Sequence, residues 1–233
     1  MEIKEIARIE NNYVDKFGIP RQSGLADTVK ARIVFAPEYR NPDAFRGIEG
    51  YSHLWLLWEF SETGKAPGEW TPTVRPPRLG GNKRVGVFAT RSPFRPNSLG
   101  LSSVRLLGVD YECPEAPVLI VSGADLMSGT PVYDIKPYLP YTDSHPDATS
   151  GFAGDFVDYR LAVEIPPEIY KTAESLNIET MLPELAEVLA QDPRPAYQND
   201  PDRIYRMLYG GCEVAFSVEN GTVYVKEICL KEE

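Results

Sequence analysis

Apolar and polar residues alternate along most of the first two thirds of the chain. In VKARIVFA (29–36), apolar residues fall on one face and two basic residues on the other, which is typical of a half-buried β-strand. The segment SHLWLLWEF (52–60) is apolar on both faces and predicts a central strand. Further strands are predicted at IKEIARIE (3–10), RVGVFAT (84–90), LSSVRLLGVD (101–110), PVLIVSGAD (117–125), PVYDIKP (131–137) and FVDYRLAVEI (156–165). Because no long helical period separates these segments, the pattern favours an antiparallel or mixed barrel-like sheet over a doubly wound βαβ fold.

The pattern changes at Pro166-Pro167. PEIYKTAESL (167–176) and LPELAEVLAQD (182–192) predict two short helices, and the second places its leucines and Val188 on one face. Three strands follow, at 203–209, 212–218 and 222–230, with Asn220-Gly221 as a tight hairpin turn between the last two. The chain is therefore predicted to be mainly β at 1–165, with a small α+β unit at 166–233 that packs on the barrel.

Charge is distributed unevenly along the chain. The net charge is −10, yet the stretch from Thr71 to Val109 has no acidic residue. Its basic residues are Arg75, Arg78, Lys83, Arg84, Arg91, Arg95 and Arg105. Prolines and glycines among them indicate fixed backbone that presents guanidinium and N–H groups to an anion such as phosphate or carboxylate. The alternative is a solvated basic face that balances acid elsewhere.

Several functional classes lack their sequence signatures. The chain has no GxxxxGK[ST] loop, no GxGxxG between a strand and a helix, and no GxSxG. Three widely spaced cysteines and two histidines make a disulfide framework or a metal site unexpected. The first residues, MEIKEIARIE, lack the apolar core of a signal peptide, so we expect a cytoplasmic protein.

Two loops are candidates for ligand binding. In TRSPFRPNSLG (90–100), Pro93 and Pro96 stiffen the backbone that carries Arg91 and Arg95, so these side chains would lose little entropy on binding an anion. In GIPRQSG (18–24), Arg21 and Gln22 lie between Pro20 and Gly24 and could read a base edge. A structural loop packed on a neighbour and a plain turn are the respective alternatives.

Two candidate catalytic residues come from the strands. Asp134 lies near a strand end in GADLMSGTPVYDIKPYLPY (123–141), where a ligand hydroxyl or amino group could bind. Its alternative is a same-face ion pair with Lys136. His53 lies in the apolar strand at 52–60, where a lone histidine is more often a structural residue bonded to backbone.

Together, PRQSGL, GIEGYSHLWLL, PTVRPPRLGGNKRVGVFATRSPFRPNSLG, DLMSGTPVYDIKPYLPY and AQDPRPAY resemble the TrmO/TsaA-like family of bacterial and archaeal tRNA methyltransferases. The resemblance runs from about Ile3 to the end of the chain. It implies a small β-barrel methyltransferase domain, unlike the Rossmann type, that uses S-adenosylmethionine. It also implies a small C-terminal domain, a homodimer, and methylation of N6 in N6-threonylcarbamoyladenosine beside the anticodon of threonine-decoding tRNA.

The resemblance also implies the positions of the cofactor-binding residues. Those expected to bind S-adenosylmethionine are Pro20, Arg21, Gln22, Ser61, Glu62, Arg91, Leu101, Asp125, Leu126, Ser128, Gly129 and Thr130. The tRNA-binding residues are predicted from the sequence itself. The stretch without acidic residues predicts that Arg75, Arg78, Lys83, Arg84 and Arg95 bind tRNA, and the proline-flanked loop QDPRPAY adds Arg194, with Tyr197 as a stacking surface for an unpaired base. Arg194 and Tyr197 could instead attach the small unit to the barrel.

The chain departs from the family pattern at Ser98, where a second proline is common, and at Ser128, where aspartate is common. These departures leave open an alternative function, a non-catalytic barrel that binds RNA or protein. Methylation of a different small acceptor is a third option.

Overall fold

The computed structural model describes residues 2–64, 69–79, 83–194 and 200–231. Its strands are β1 (Ala7–Glu10), β2 (Lys30–Phe35), β3 (His53–Glu59), β4 (Thr73–Val74), β5 (Val85–Gly86), β6 (Leu99–Asp110), β7 (Val118–Ser122), β8 (Pro131–Pro137), β9 (Ala162–Glu164), β10 (Tyr205–Tyr209), β11 (Cys212–Glu219) and β12 (Thr222–Leu230). Its α-helices are α1 (Pro140–Asp143), α2 (Pro167–Ser175) and α3 (Leu182–Ala190). Short 3₁₀ turns span Pro37–Tyr39, Pro42–Phe45, Ile48–Gly50, Pro77–Leu79, Val87–Ala89, Gly151–Phe156 and Glu179–Met181.

Six strands close into an antiparallel barrel in the order β1-β2-β7-β6-β3-β8. The predicted alternation at 29–36 is confirmed, because Ala31, Ile33 and Phe35 are buried while the residues between them are not. Inward residues of β3 and β6, including Leu56 and Val104, complete the core. The predicted mainly-β, barrel-like fold is therefore confirmed, and β3 is paired on both sides as expected for a central strand.

Two predicted strands differ from the structure. The segment 84–90 contributes only β5, which pairs with β4 outside the barrel and passes into the 3₁₀ turn Val87–Ala89. The segment 156–165 contributes only β9, which pairs in parallel with β12 in the second sheet. The backbone N–H groups of Leu161 and Ala162 bond to the carbonyls of Ala190 and Gly221, so partners in the C-terminal unit fix this strand.

The second sheet has the order β10-β11-β12-β9 and packs against α2 and α3. The helix face predicted from sequence is buried, with Leu185 and Leu189 fully so. The Asn220-Gly221 turn has φ of 50° and 80°, as a type I′ hairpin requires. This second core also includes Tyr13, Ala26 and Val29 from the first part of the chain, so the two units share buried surface. Within the described residues, none of the helices has the length and apolar character needed to span a membrane.

Candidate ligand cavity and RNA-binding surface

A cavity of about 660 Å³ opens at one end of the barrel. The end of β3, the start of β6 and the loops after β1 and β7 meet there, because antiparallel pairing brings these ends together. The loop that carries Arg91 and Arg95 covers one side. Apolar walls come from residues such as Leu101, Leu126 and Met127, so the cavity combines an apolar surface with a few charged groups.

A carboxylate lies in the wall of this cavity. The Trp58 indole N–H donates to Ser102 Oγ at 3.0 Å, and the Ser102 hydroxyl donates to Asp125 Oδ1 at 2.5 Å. Burial raises the pKa of Asp125, while the hydrogen bond from Ser102 and the charge of Arg91 act in the opposite direction. The two hydrogen bonds from Trp58 through Ser102 therefore hold the Asp125 carboxylate, a hydrogen-bond acceptor, in the cavity wall.

Two polar groups from different segments meet across the cavity mouth. Arg91 Nη1 donates to Gln22 Oε1 at 2.5 Å, which joins the loop after β1 to the arginine loop. Elsewhere on the rim, Lys16 donates to the Glu62 carbonyl and forms an ion pair of 3.5 Å with the Glu62 carboxylate. Both partners of that ion pair are exposed, so it contributes little to stability.

Most residues expected to bind S-adenosylmethionine line this cavity. They are Pro20, Arg21, Gln22, Ser61, Glu62, Arg91, Leu101, Asp125, Leu126 and Thr130. Ser128 and Gly129 do not line it. Ser128 Oγ accepts a bond from the Asn11 backbone N–H, and the Gly129 carbonyl accepts one from Arg8, so both residues bind the β1 segment instead. The departure from the family pattern at Ser128 therefore lies outside the cavity wall.

The two candidate catalytic residues lie elsewhere. The Asp134 carboxylate forms an ion pair of 2.8 Å with Lys136, which is the alternative weighed from the sequence. Asp134 instead lines a smaller cavity of about 340 Å³ beside Phe35 and Phe45. His53 bonds to the Ser52 hydroxyl at 2.9 Å and packs edge-on against Tyr138. Neither residue lines the large cavity, so its geometry does not support a catalytic role for them there.

The predicted RNA-binding residues do not lie in one place. Arg95 lines the cavity, and its guanidinium donates to the Thr90 and Ser92 carbonyls at 2.8 and 3.3 Å. Arg75, Lys83 and Arg84 are exposed and lie outside the cavity lining. The side chain of Arg78 and the whole of Tyr197 lie outside the described residues.

Arg194 is not presented to solvent. Its side chain is 9% exposed and forms a two-pronged pair with Asp192, with nitrogen–oxygen distances of 2.8 and 3.1 Å. Its carbonyl accepts a 3.4 Å bond from Arg21 of the cavity wall. This geometry favours the attachment role over direct contact with RNA, although it does bring the C-terminal loop to the cavity wall.

Sequence reasoning missed Ser102 and Trp58. Ser102 is a polar residue at an inward position of a strand whose other inward residues are glycine, valine and leucine. A polar residue in that register was the available signal, because buried hydroxyls need a partner. Trp58 carried no such signal, since its strand is apolar on both faces.

The cavity fits S-adenosylmethionine in the chemistry of its donor set. A fixed carboxylate at Asp125 can accept hydrogen bonds from hydroxyl or ammonium groups, and Arg91 can pair with a carboxylate. The apolar walls can cover an adenine ring. Fold and site thus define a small non-Rossmann β-barrel protein whose cavity combines apolar walls with Asp125 and Arg91.

The chain belongs to the TrmO family. The model for the tRNA-methyltransferase O N-terminal domain matches residues 8–144, and that for the TrmO C-terminal domain matches residues 158–231. A tRNA (adenine(37)-N6)-methyltransferase of Escherichia coli K12 is 46% identical over 84% of this chain and 83% of its own length. A protein of the same name from Eikenella corrodens is 44% identical over 78% of this chain and 99% of its own.

Solved structures agree with this assignment. The crystal structure of TrmO from Pseudomonas aeruginosa superposes with a TM-score of 0.78 at 32% identity, covering 99% of this chain and 97% of that one. The similarity therefore includes both the barrel and the small C-terminal unit.

Proposed function

We propose that the protein is an S-adenosylmethionine-dependent tRNA methyltransferase that methylates N6 of the adenosine at position 37, beside the anticodon. The similarity to tRNA (adenine(37)-N6)-methyltransferases over most of the chain supports the reaction. Relatives named as S-adenosylmethionine-dependent methyltransferases support the cofactor. The observation that carries the proposal is the cavity in which Asp125, Arg91 and Gln22 converge. Beside it lies the basic hairpin, the β4–β5 pair that carries the exposed residues Arg75, Lys83 and Arg84.

The cofactor supplies a methyl group on a sulfonium, and transfer is an in-line displacement. Positioning of the two reactants therefore supplies much of the rate. Asp125 and Arg91 would hold the cofactor through opposite charges, with Leu101 and Leu126 excluding water from the ring. The carboxylates that line the cavity, Glu59, Glu62 and Asp125, are the acidic groups available there to take a proton from N6.

We further propose that the substrate is N6-threonylcarbamoyladenosine in threonine-decoding tRNA, as the family resemblance implies. N6 is part of a urea in this nucleoside, so it becomes nucleophilic only as its proton leaves. The threonyl carboxylate gives the basic surface an anionic partner beyond the phosphates. A homodimer and a cytoplasmic location complete the proposal, and sedimentation of the purified protein tests the dimer.

The alternative is a barrel that binds RNA or protein without transferring a methyl group. The sequence features that favoured it were the departures from the family pattern at Ser98 and Ser128. Ser128 bonds to the β1 segment and does not line the cavity, and the Ser98 carbonyl accepts the Phe60 N–H at 2.8 Å, a bond that a proline could also accept. Neither serine therefore removes a cavity group, and the alternative loses its support.

Methyl transfer from labelled S-adenosylmethionine to tRNA tests the proposal directly. Threonine-decoding tRNA would be prepared with and without the threonylcarbamoyl group, and the product nucleoside would be identified by mass spectrometry. We expect label only on the modified tRNA, as N6-methyl-N6-threonylcarbamoyladenosine. Label on unmodified adenosine would refute the proposed substrate, and absence of any label with measurable cofactor binding would refute the reaction.

A further inference from the structure

Two aromatic rings stand exposed beside the cavity mouth. Phe88 is 71% exposed and Trp70 is 45% exposed. Their ring centroids lie 6.1 Å apart with planes inclined by 27°, so the two rings offer nearly parallel faces. Burying apolar surface of this size would be favourable, so a folded protein seldom leaves two adjacent aromatic rings exposed to water. Such a pair therefore indicates an interaction surface.

The backbone holds this pair in place. The Val87 N–H donates to the Pro72 carbonyl at 3.0 Å, and the Thr71 N–H donates to the Phe94 carbonyl at 3.2 Å. Pairing of β4 with β5 joins the two segments a few residues further on. Both rings therefore sit on short segments with anchored backbone, so little conformational entropy remains to be lost on binding.

The aromatic pair is continuous with the cavity. The Arg95 guanidinium carbon lies 6.0 Å from the centroid of the Phe88 ring, and Arg95 itself lines the cavity. Arg95 is fixed by its bond to the Thr90 carbonyl. Arg95 thus links the cavity lining to Phe88, and Phe88 in turn stacks with Trp70, so the aromatic pair lies next to the cavity.

The surrounding charge favours a polyanion. Arg75, Lys83 and Arg84 are exposed on the same hairpin, and the sequence has no acidic residue between Thr71 and Val109. Glu69 precedes Trp70 and is the acidic residue nearest to the pair along the chain. Single-stranded RNA is bound by this combination, because phosphates take the basic groups while unpaired bases stack on aromatic faces.

We propose that Trp70 and Phe88 form a stacking platform for an unpaired base of the anticodon loop, adjacent to the adenosine held in the cavity. The proposal rests on the proposed function, since it needs an RNA whose target base enters the cavity. A base next to the target adenosine would leave the base stack of the anticodon loop and stack on the platform. Arg95 would lie between this base and the adenosine in the cavity.

Binding of tRNA to Phe88→Ala and Trp70→Ala tests the platform. Loss of one stacked base weakens binding by roughly 5- to 150-fold. Phe88→Tyr retains a stacking face and should keep wild-type affinity, whereas Phe88→Leu retains apolar area only and should lose affinity like alanine. The dependence of log K on log salt should keep its slope in all four variants, because no phosphate contact is removed.

Charge variants of the hairpin provide the contrast. Arg75→Glu with Arg84→Glu should flatten the salt dependence by about 0.7–0.9 for each lost phosphate contact. Tyr170→Ala removes another exposed aromatic ring, from α2, and should bind tRNA like wild type. Wild-type tRNA affinity in both Phe88→Ala and Trp70→Ala would overturn the platform.

Three further outcomes distinguish the platform from a contact between protein chains and from a failure of the proposed function. If Phe88→Ala changes the sedimentation of the protein while tRNA affinity stays at the wild-type value, the pair contacts a second copy of the chain and the proposal is overturned. If the wild-type protein methylates tRNA and the ring variants bind it normally, the platform fails while the proposed function stands. If wild type binds S-adenosylmethionine but transfers no methyl group, the proposed function fails instead.

Discussion

Asp125 is kept in the cavity wall at some expense of stability. Burial raises the pKa of its carboxyl, so the folded chain binds a proton more tightly than the unfolded chain does. The free energy of unfolding therefore falls as pH rises from the ordinary carboxyl pKa of about 4 through the higher folded pKa. Above that window, the ionised side chain destabilises the fold, which is typical of a group retained for binding.

Replacing Asp125 with asparagine should separate these two roles. At pH 7 we expect Asp125→Asn to melt at or above the wild-type temperature, because the buried charge is gone while Ser102 keeps an acceptor. The difference should disappear when the pH falls below about 4, where the wild-type carboxyl is protonated in both states. Thermal denaturation at the two pH values measures this.

S-adenosylmethionine affinity of the same variant should fall by about tenfold or more at pH 7, because a charged acceptor is lost. Titration calorimetry measures it. A variant that melts lower than wild type at pH 7 and still binds the cofactor with full affinity would show that Asp125 serves the fold instead.

Arg91 is expected to affect cofactor binding without affecting stability, since it is exposed and contributes little to the core. Its guanidinium donates to Gln22 at the cavity mouth, where a ligand carboxylate could replace the Gln22 oxygen as the acceptor. Arg91→Ala should weaken S-adenosylmethionine binding by about 1.5–3 kcal/mol in calorimetry, without lowering the melting temperature. Arg105→Ala is the matched control, because Arg105 is an exposed arginine of the same basic stretch on β6. Equal affinity in both variants would remove Arg91 from the site.

At the scale of elements, the pairing of β3 with β6 positions the carboxylate. Trp58 lies opposite Gly100, and a Cβ at position 100 would overlap the Trp58 indole ring. Gly100→Ala should displace this ring and with it the bond to Ser102. We expect a loss of about 1–3 kcal/mol in unfolding free energy by chemical denaturation, together with weaker cofactor binding.

Gly108 supplies the control for this prediction. It lies in the same strand, and a Cβ there would meet no atom within 4 Å. Gly108→Ala should therefore leave cofactor affinity unchanged. If Gly100→Ala behaves like Gly108→Ala in both measurements, close packing of Trp58 is not what holds the Ser102–Asp125 pair.

The elements found correctly from sequence are those whose own residues decide their structure. The strand at 29–36 and the helix that begins at Leu182 each bury one periodic face, and the Asn220-Gly221 turn follows from local backbone preference. The segment 156–165 has an equally strand-like pattern, yet only Ala162–Glu164 forms a strand, because the available edge belonged to β12. Local pattern cannot reveal which distant edge is unpaired.

The cavity residues likewise include some that the sequence reveals and some that it does not. Arg91 and Arg95 were identified because proline-stiffened arginines are visible in the sequence, and both line the cavity. From the sequence, Asp134 was placed near a strand end, but it lies in the middle of β8 and forms an ion pair with Lys136, whereas Asp125 lies in the loop after β7. The distinction between these two aspartates depends on barrel closure, which no spacing in the sequence expresses.

At the scale of the whole molecule, polar contacts join the barrel to the C-terminal unit. Glu184 of α3 accepts bonds from Asn12 and from Tyr209, at 3.1 and 3.2 Å. Gln191, just after α3, donates to the Leu25 carbonyl at 3.0 Å. The segment after β1 thus contacts the C-terminal unit on one side and lines the cavity with Pro20 to Gln22 on the other. Loosening the C-terminal unit should therefore affect the cavity indirectly.

The pair formed by Arg194 and Asp192 is the sharpest test of that coupling. Both side chains are largely buried, at 9% and 13% exposure, so removing one partner leaves a charge without its counterion. Although burial opposes it, the hydrogen bonds from Arg194 and Tyr159 hold the pKa of Asp192 below its usual range. The stability that this pair adds is thus present above the ordinary carboxyl pKa and is lost as pH falls through the lower folded value.

We expect Arg194→Ala to lower the unfolding free energy by about 3 kcal/mol at pH 7, with a lower melting temperature and any loss of tRNA turnover following from it. Asp192→Asn is the companion variant, because asparagine tolerates the left-handed φ of 53° at that position and only the charge is removed. Both variants should approach wild-type stability as the pH falls below the ordinary carboxyl pKa of about 4 and through the lower folded pKa, because the carboxyl then protonates. An unchanged melting temperature in Arg194→Ala, with cofactor binding intact and tRNA turnover reduced, would instead assign Arg194 to the RNA. If Arg194 contacts the RNA, tRNA turnover in Asp192→Asn tells whether that contact needs the Asp192 carboxylate. Unchanged turnover would mean that the guanidinium reaches the substrate without it.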